Sequence, residues 1–198
     1  MLFELKKSFP DYYRYYGRRI AKRLSPSIND IFIKNFKNFS LDEEILKNLN
    51  SDKYQSLTLN SKFKKNIIEI GFGDGKHLFG LAQANKVTHF IGCEVFINGL
   101  GKALKKIVEN NLTNISLCGL NCLYLLENIK DSSIDKIFII NPDPWEKKRH
   151  FKRRLINKVF IALMYKKIKN GGKVIVTTDS SSYFLSILEI IKNEEIDF

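Results

Sequence analysis

No apolar run in the sequence approaches the ~20 residues that a membrane-spanning helix needs, so neither a helical membrane protein nor a membrane partner is expected. The opening residues, Met1 to Lys7, lack an apolar stretch followed by small residues, and no secretory signal is read there. Cysteine is scarce. Cys93, Cys118 and Cys122 form an odd set without the paired spacing of a zinc site, which points to reduced thiols, a cytoplasmic protein and no bound metal. Internal repeats and low-complexity tracts are missing. What remains is a globular composition: 198 residues, 44% hydrophobic and 12% aromatic. A single domain of this length buries roughly 70% of the surface its unfolded chain exposes, enough for a core of its own.

Arginine is scarce too, and its placement is informative. All seven arginines fall in two clusters: Arg14, Arg18, Arg19 and Arg23, then Arg149, Arg153 and Arg154. The net charge of +12 follows them, because residues 1–40 carry +6, residues 141–170 carry +8, and the rest of the chain is nearly neutral. Guanidinium is the better planar, bidentate phosphate ligand. Two basic segments on a neutral body therefore indicate a nucleic-acid partner, with solvated helix faces as the bland alternative.

Residues 1–60 read as a basic, mostly helical extension. It opens with a Tyr/Arg-rich arm (Tyr12, Tyr13, Arg14, Tyr15, Tyr16, Gly17, Arg18, Arg19). Ser25 and Pro26 suit an N-cap and first helical position, and Ile28, Phe32, Phe36 and Phe39 recur at helical spacing. Ser40 to Glu43 has the pattern of a capping box. Residues 61–198 switch to a βα alternation, with strands predicted over 66–70, 89–94, 114–118, 134–140 and 173–178. Helices are predicted near 75–84, 97–110, 121–129, 151–169 and 181–193. Such alternation specifies an α/β fold: a parallel sheet with helices on both faces and its ligand beyond the carboxyl ends of the strands.

The unusual residues lie at those ends. The first strand runs through Glu69 into Gly71, Gly73 and Gly75, glycines that allow a tight turn and close approach to a ligand. Lys76 occupies the place of the third glycine of a dinucleotide fingerprint, which disfavours an NAD-linked oxidoreductase. Glu94 ends the second strand about twenty residues on, where an acid accepts ribose hydroxyls. Asn121 follows the third strand, as an adenine contact or a helix cap. After the fourth strand comes Asn141, then Pro142, Asp143, Pro144 and Trp145, with a basic run from Lys147 to Arg154. The prolines fix the backbone, Trp145 can stack on a base, and the cations can hold phosphates. With a helix starting near Phe151, Lys152, Arg153 and Arg154 would crowd its positive end, which a bound anion would offset.

The acid-x-Gly-x-Gly-x-Gly pattern resembles the opening motif of class I S-adenosylmethionine-dependent methyltransferases. Together with the Tyr-Gly-Arg-Arg arm, the strand ending at Glu94, the Pro-Asp-Pro-Trp run with its basic tail, and Thr178–Asp179, the chain is similar to the tRNA (guanine-N7)-methyltransferase family. The resemblance implies a Rossmann-like class I fold and methyl transfer from S-adenosyl-L-methionine to the variable-loop guanine (position 46) of tRNA. Carried onto matching positions, it implies that Glu69, Gly71, Gly73, Glu94, Asn121 and Asp143 hold the cofactor, with Asp143 also the catalytic carboxylate. Lys147 and Asp179 would contact the substrate, and Arg149, His150, Lys152, Arg153 and Arg154 the RNA. His77 and His89 are read as structural.

Two departures stand out. Asn141 replaces the family's usual aromatic residue, and the chain ends after the fifth-strand helix, so the last two of the usual seven strands are expected to be missing. The fifth strand would then be an exposed edge, and weak turnover is expected. Two alternative functions follow: a noncatalytic tRNA-binding remnant, and a nucleic-acid methyltransferase acting on an exocyclic amine.

Overall fold

Among the described residues, isoleucine-rich segments of four to ten residues form five strands, each followed by a helix or turn. The computed structural model describes residues 14–21, 23–51, 55–57, 59 and 62–193; Tyr12 and Tyr13 of the arm lie outside the described residues. Strands β1 (Lys65–Ile70), β2 (Thr88–Cys93), β3 (Ile115–Cys118), β4 (Ile134–Ile140) and β5 (Ile168–Thr177) are all parallel, in the order β3-β2-β1-β4-β5. The sheet grows outward from β1 in one direction and then resumes on β1's other side with β4. The switch in strand order therefore lies between the carboxyl ends of β1 and β4, where such sheets bind ligands.

Helices cover the two faces: α1 (Pro26–Phe39), α2 (Asp42–Leu49), α3 (Lys76–Ala84), α4 (Ile97–Glu109), α5 (Cys122–Asn128), α6 (Lys158–Lys167) and α7 (Ser181–Asn193). Strand side chains alternate between faces, and the core divides accordingly. On one face Phe90, Ile115 and Leu117 pack with Leu78, Leu104 and Phe36 from α3, α4 and α1. On the other, Ile68, Ile91 and Ile137 pack with Ile45, Leu125, Phe160 and Tyr183 from α2, α5, α6 and α7. The N-terminal segment thus contributes to both cores. It crosses between them at Ser40 and Leu41, which pair with Leu117 at the outer edge of β3. Gly101 of α4 permits this packing, because a Cβ there would meet Ile28 at 2.6 Å.

The predicted strands appear with ends shifted by one residue or fewer, except β5, which starts five residues early. Its register jumps from Ile134↔Ile168 to Lys136↔Lys173, so residues 169–172 bulge out of the ladder. Two local expectations need correction. Ser25 caps α1, but Ser40 and Glu43 form no capping box: the Ser40 hydroxyl accepts from the Asp42 N–H, and Glu43 pairs with Lys37. The helix predicted over 151–169 divides into a 3-10 turn (Lys148–Arg153) and α6, which starts only at Lys158 behind an Asn157 cap. Lys152, Arg153 and Arg154 therefore precede the helix, and they do not crowd its positive end.

Candidate active site

A cavity of about 730 Å³ opens at the carboxyl ends of β1, β2 and β4. Gly71, the first residue of the glycine loop after β1, forms part of its wall. Gly71, Gly73 and Gly75 have φ of +72°, +58° and +71°, a region that L side chains rarely enter. A Cβ on Gly71 would meet no protein atom within 4 Å, so the loop presents open space to a ligand. Glu94 holds this loop in place. One carboxylate oxygen accepts from the Gly73 N–H and the other from the Phe96 N–H, both at 2.9 Å. A carboxylate has about four acceptor positions, so both oxygens keep capacity for a ligand hydroxyl. Gly99 completes the fit: a Cβ there would lie 2.2 Å from the Gly73 carbonyl oxygen.

Asn121 lines the cavity and caps α5, its side-chain oxygen accepting from the Leu123 N–H at 3.0 Å. The cap reading of this residue is realised, and its position in the wall leaves the ligand reading in place. Cys93 and Cys122 lie in the same wall. Hydrogen bonding with Cys118 and burial hold Cys93 well above the ordinary thiol range. Burial pushes Cys122 up to about 12, so both are neutral packing groups.

Glu69 is placed differently from the other acids. It is 3% exposed and does not line the cavity; its carboxylate pairs with His77 Nδ1 at 2.9 Å beneath the glycine loop. Burial raises its pKa, against the opposing effect of His77. His77 also packs edge-on against Phe138, and His89 is buried between Asn66 and Ser116.

The loop after β4 forms the opposite wall. Asn141 (φ +45°) and Trp145 (φ +44°) bracket the two prolines, and asparagine tolerates this conformation better than most residues. The Thr177 hydroxyl donates to Asn141 Oδ1 at 3.1 Å, tying the ends of β4 and β5. Between the prolines, Asp143 is exposed and faces the cavity. Glu146, which the sequence did not single out, accepts from the Ser180 hydroxyl at 2.7 Å and anchors the loop to the start of α7. Asp179 is exposed immediately before that anchor and lies outside the cavity wall.

The basic run separates into distinct roles. Lys147, Arg149 and Lys152 are exposed; Lys152 reaches the cavity rim, while Lys147, Arg149 and His150 lie outside it. Partial burial, then the charges of Arg153, Arg149 and Lys147, hold the His150 imidazole below its ordinary pKa. Arg153 lies over the Trp145 ring at 4.9 Å and over Tyr16 at 5.4 Å, and Arg14 covers Tyr16 at 5.6 Å. This stack carries the N-terminal arm across the cavity mouth, an arrangement the Tyr/Arg composition hinted at but did not locate. Behind it, burial and then the Glu94 and Asp143 carboxylates push the Tyr15 hydroxyl up to about 12.

Arg154 corrects the sequence reading. It is 4% exposed, and its guanidinium donates to the Pro144 carbonyl, the Ser182 carbonyl and the Ser182 and Ser186 hydroxyls. It touches the cavity wall, but these four bonds commit its guanidinium to fastening the loop to α7, which leaves little donor capacity for a phosphate.

The chain is similar to known proteins. A family model described as "Putative methyltransferase" matches residues 64–197. A bifunctional methyltransferase of Rickettsia prowazekii is 35% identical over 179 residues, which is 90% of this chain and 32% of that protein. A tRNA (guanine-N(7)-)-methyltransferase of Neisseria meningitidis is 41% identical over 128 residues, covering 64% of this chain and 54% of that protein. The chain thus spans only about a third to a half of the length of these relatives. Among solved structures, a precorrin-6y C5,15-methyltransferase from Geobacter metallireducens superposes with a TM-score of 0.54 at 13% identity, covering 68% of this chain and 65% of its own. An antibiotic-related methyltransferase superposes with a TM-score of 0.50 at 20% identity, covering 71% and 77%. The Rossmann-like methyltransferase fold is therefore shared, and the chain belongs to the family of putative methyltransferases whose model it matches.

Proposed function

We propose that this chain transfers a methyl group from S-adenosyl-L-methionine to N7 of a guanine in tRNA, at position 46 of the variable loop. The observation that carries the reading is one cavity at the strand-order switch, with carboxylates inside and exposed cations at its rim. The residues fit the cofactor: Glu94 has acceptor capacity for ribose hydroxyls, Asn121 stands in the wall for the adenine, and the space over Gly71 suits the amino-acid end. Glu69 and Gly73 act from beneath and beside the loop, Glu69 as a buried negative charge and Gly73 through its bond to Glu94. Bound there, S-adenosylmethionine supplies an electrophilic methyl carbon on a positively charged sulfur.

Guanine N7 carries an unprotonated lone pair, so no general base is needed and the work of the site is alignment and charge stabilisation. Asp143 supplies both. Its carboxylate can accept hydrogen bonds from the guanine edge and offset the positive charge that the ring gains on methylation. Trp145 offers a stacking face beside it. Lys147, Arg149, His150, Lys152 and Arg153 bind the RNA backbone, and Asp179 is assigned to the substrate side.

The test incubates the purified chain with unmodified tRNA and labelled S-adenosylmethionine, then identifies the labelled nucleoside. The expected product is 7-methylguanosine, located in the variable loop. N6-methyladenosine would replace this reading with the exocyclic-amine one. Salt-sensitive tRNA binding without transfer would leave only the binding function.

A further inference from the structure

A second cavity, of about 320 Å³, lies at the opposite ends of the strands, where β1, β4 and β5 begin. Lys65, Lys136 and Lys173 line it. Lys136 and Lys173 are direct register partners on adjacent strands, and Lys136 also pairs with Ile67, two residues beyond Lys65. The three lysines therefore share one face of the sheet, opposite the face on which Ile137, Ile139 and Val174 enter the core. Like charges placed directly across a ladder destabilise it.

Among the described residues their charge stands uncompensated. Among the described residues, Asp135 is the one acid in the cavity wall, and its Oδ2 already accepts from Lys169 Nζ and from the Asn66 N–H, both at 2.8 Å. Among the described residues, Lys65, Lys136 and Lys173 have no carboxylate partner. Lys136 has only the Phe138 ring, 5.5 Å from its ammonium. The β5 bulge supplies the remaining wall. Gly171 has φ +75°, and a Cβ there would meet nothing within 4 Å, so the bulge leaves the space open instead of filling it.

We propose that this cavity is a phosphate-binding site, with Lys65, Lys136 and Lys173 as its cationic ligands. A compact, multiply charged oxyanion matches a wall that carries three lysines on one face of the sheet, and it would offset the repulsion between the paired Lys136 and Lys173. The phosphate can belong to the RNA backbone or be free in solution; the first source rests on the tRNA reading above, and the second does not.

The experiment compares wild type with Lys136→Gln/Lys173→Gln in two arms. In the first, inorganic phosphate is added at constant ionic strength, with chloride as control, and the melting temperature is followed. A rise in wild type that the double variant lacks establishes the site for free phosphate. In the second, tRNA affinity is measured against salt. A log–log slope shallower by about one in the variant, as expected when one fewer phosphate is neutralised, establishes the site for an RNA phosphate. S-adenosylmethionine binding reports that the variant is folded, and the single variants Lys65→Gln and Lys173→Gln replace it if it is not. Unchanged behaviour in both arms overturns the proposal. That result would leave the identity of the methylated nucleoside, measured on wild type, untouched.

Discussion

Arg154→Ala separates two roles that the basic run combines. The Arg154 guanidinium donates at 2.8 Å to the Pro144 carbonyl, at 2.8 Å to the Ser182 hydroxyl, at 3.0 Å to Ser186 and at 3.3 Å to the Ser182 carbonyl. It also lies over the Phe151 ring at 3.8 Å and the Tyr183 ring at 4.8 Å. Hydrogen bonds from charged donors contribute about 1.5–3 kcal/mol each, are not additive, and are partly offset by desolvation. Taking chiefly the two short bonds and the packing that truncation removes, the substitution should cost about 3–5 kcal/mol. For a chain of this length that corresponds to a melting temperature lower by roughly 6–20 °C. Arg153→Ala removes only two cation–ring interactions, about 1–2 kcal/mol together, but takes away a cation of the cavity wall that the proposed function assigns to RNA binding. Thermal denaturation followed by circular dichroism, with tRNA affinity measured at a temperature where both variants are folded, distinguishes the two. Arg154→Ala should melt early and, once folded, bind tRNA nearly as wild type; Arg153→Ala should do the reverse. If Arg154→Ala melted within a few degrees of wild type yet bound tRNA poorly, the fastening role would be refuted.

Glu94→Ala removes two charge-assisted bonds to the glycine loop and the acceptors for a ribose, so S-adenosylmethionine affinity should fall by about 30- to 150-fold (~2–3 kcal/mol) with tRNA affinity retained; calorimetric titration checks this, and an unchanged Kd would contradict it. Gly99→Ala places a Cβ 2.2 Å from the Gly73 carbonyl oxygen, which must displace the loop at about 1–3 kcal/mol; denaturant unfolding should show that destabilisation together with weakened cofactor binding. Asp42 is 8% exposed, and burial pushes its pKa up to about 6, against its bond from the Gly119 N–H. The folded state thus holds this proton more tightly than the unfolded chain, so the stabilisation is complete below about pH 4 and is lost as pH rises through about 6. Asp42→Asn, which stays neutral, should therefore gain about 3 kcal/mol on wild type between pH 4 and pH 7 in urea unfolding; a difference that did not vary with pH would remove Asp42 as the cause.

The strands were legible because their signal is local. Runs such as those ending at Ile70 and Cys93 are short, β-branched and bounded by glycine or an acid, and no tertiary contact overrides them. Glu94 was legible for a related reason: an acid at a strand end is conspicuous whatever packs around it. Arg154 was not, because one-dimensional spacing cannot separate cations that share a run. Arg153 and Arg154 are adjacent and chemically identical, yet the turn directs one across Trp145 and Tyr16 and the other between Ser182 and Ser186. The decisive partners lie about thirty residues away on α7, and serines carry no sequence signal for a buried guanidinium. The helix expected at 151–169 failed through the same segment, since the fastened Arg154 and the Asn157 cap postpone helix formation to Lys158. Net charge counted along the sequence therefore marks where the cations concentrate but not which of them stay exposed, since Lys152 is exposed while Arg154 is buried. The same counting missed the lysines at the far end of the sheet, because Lys65, Lys136 and Lys173 converge only through strand register. Local composition reports which chemistry is present, whereas register and turn geometry decide which of those groups remain available to a ligand.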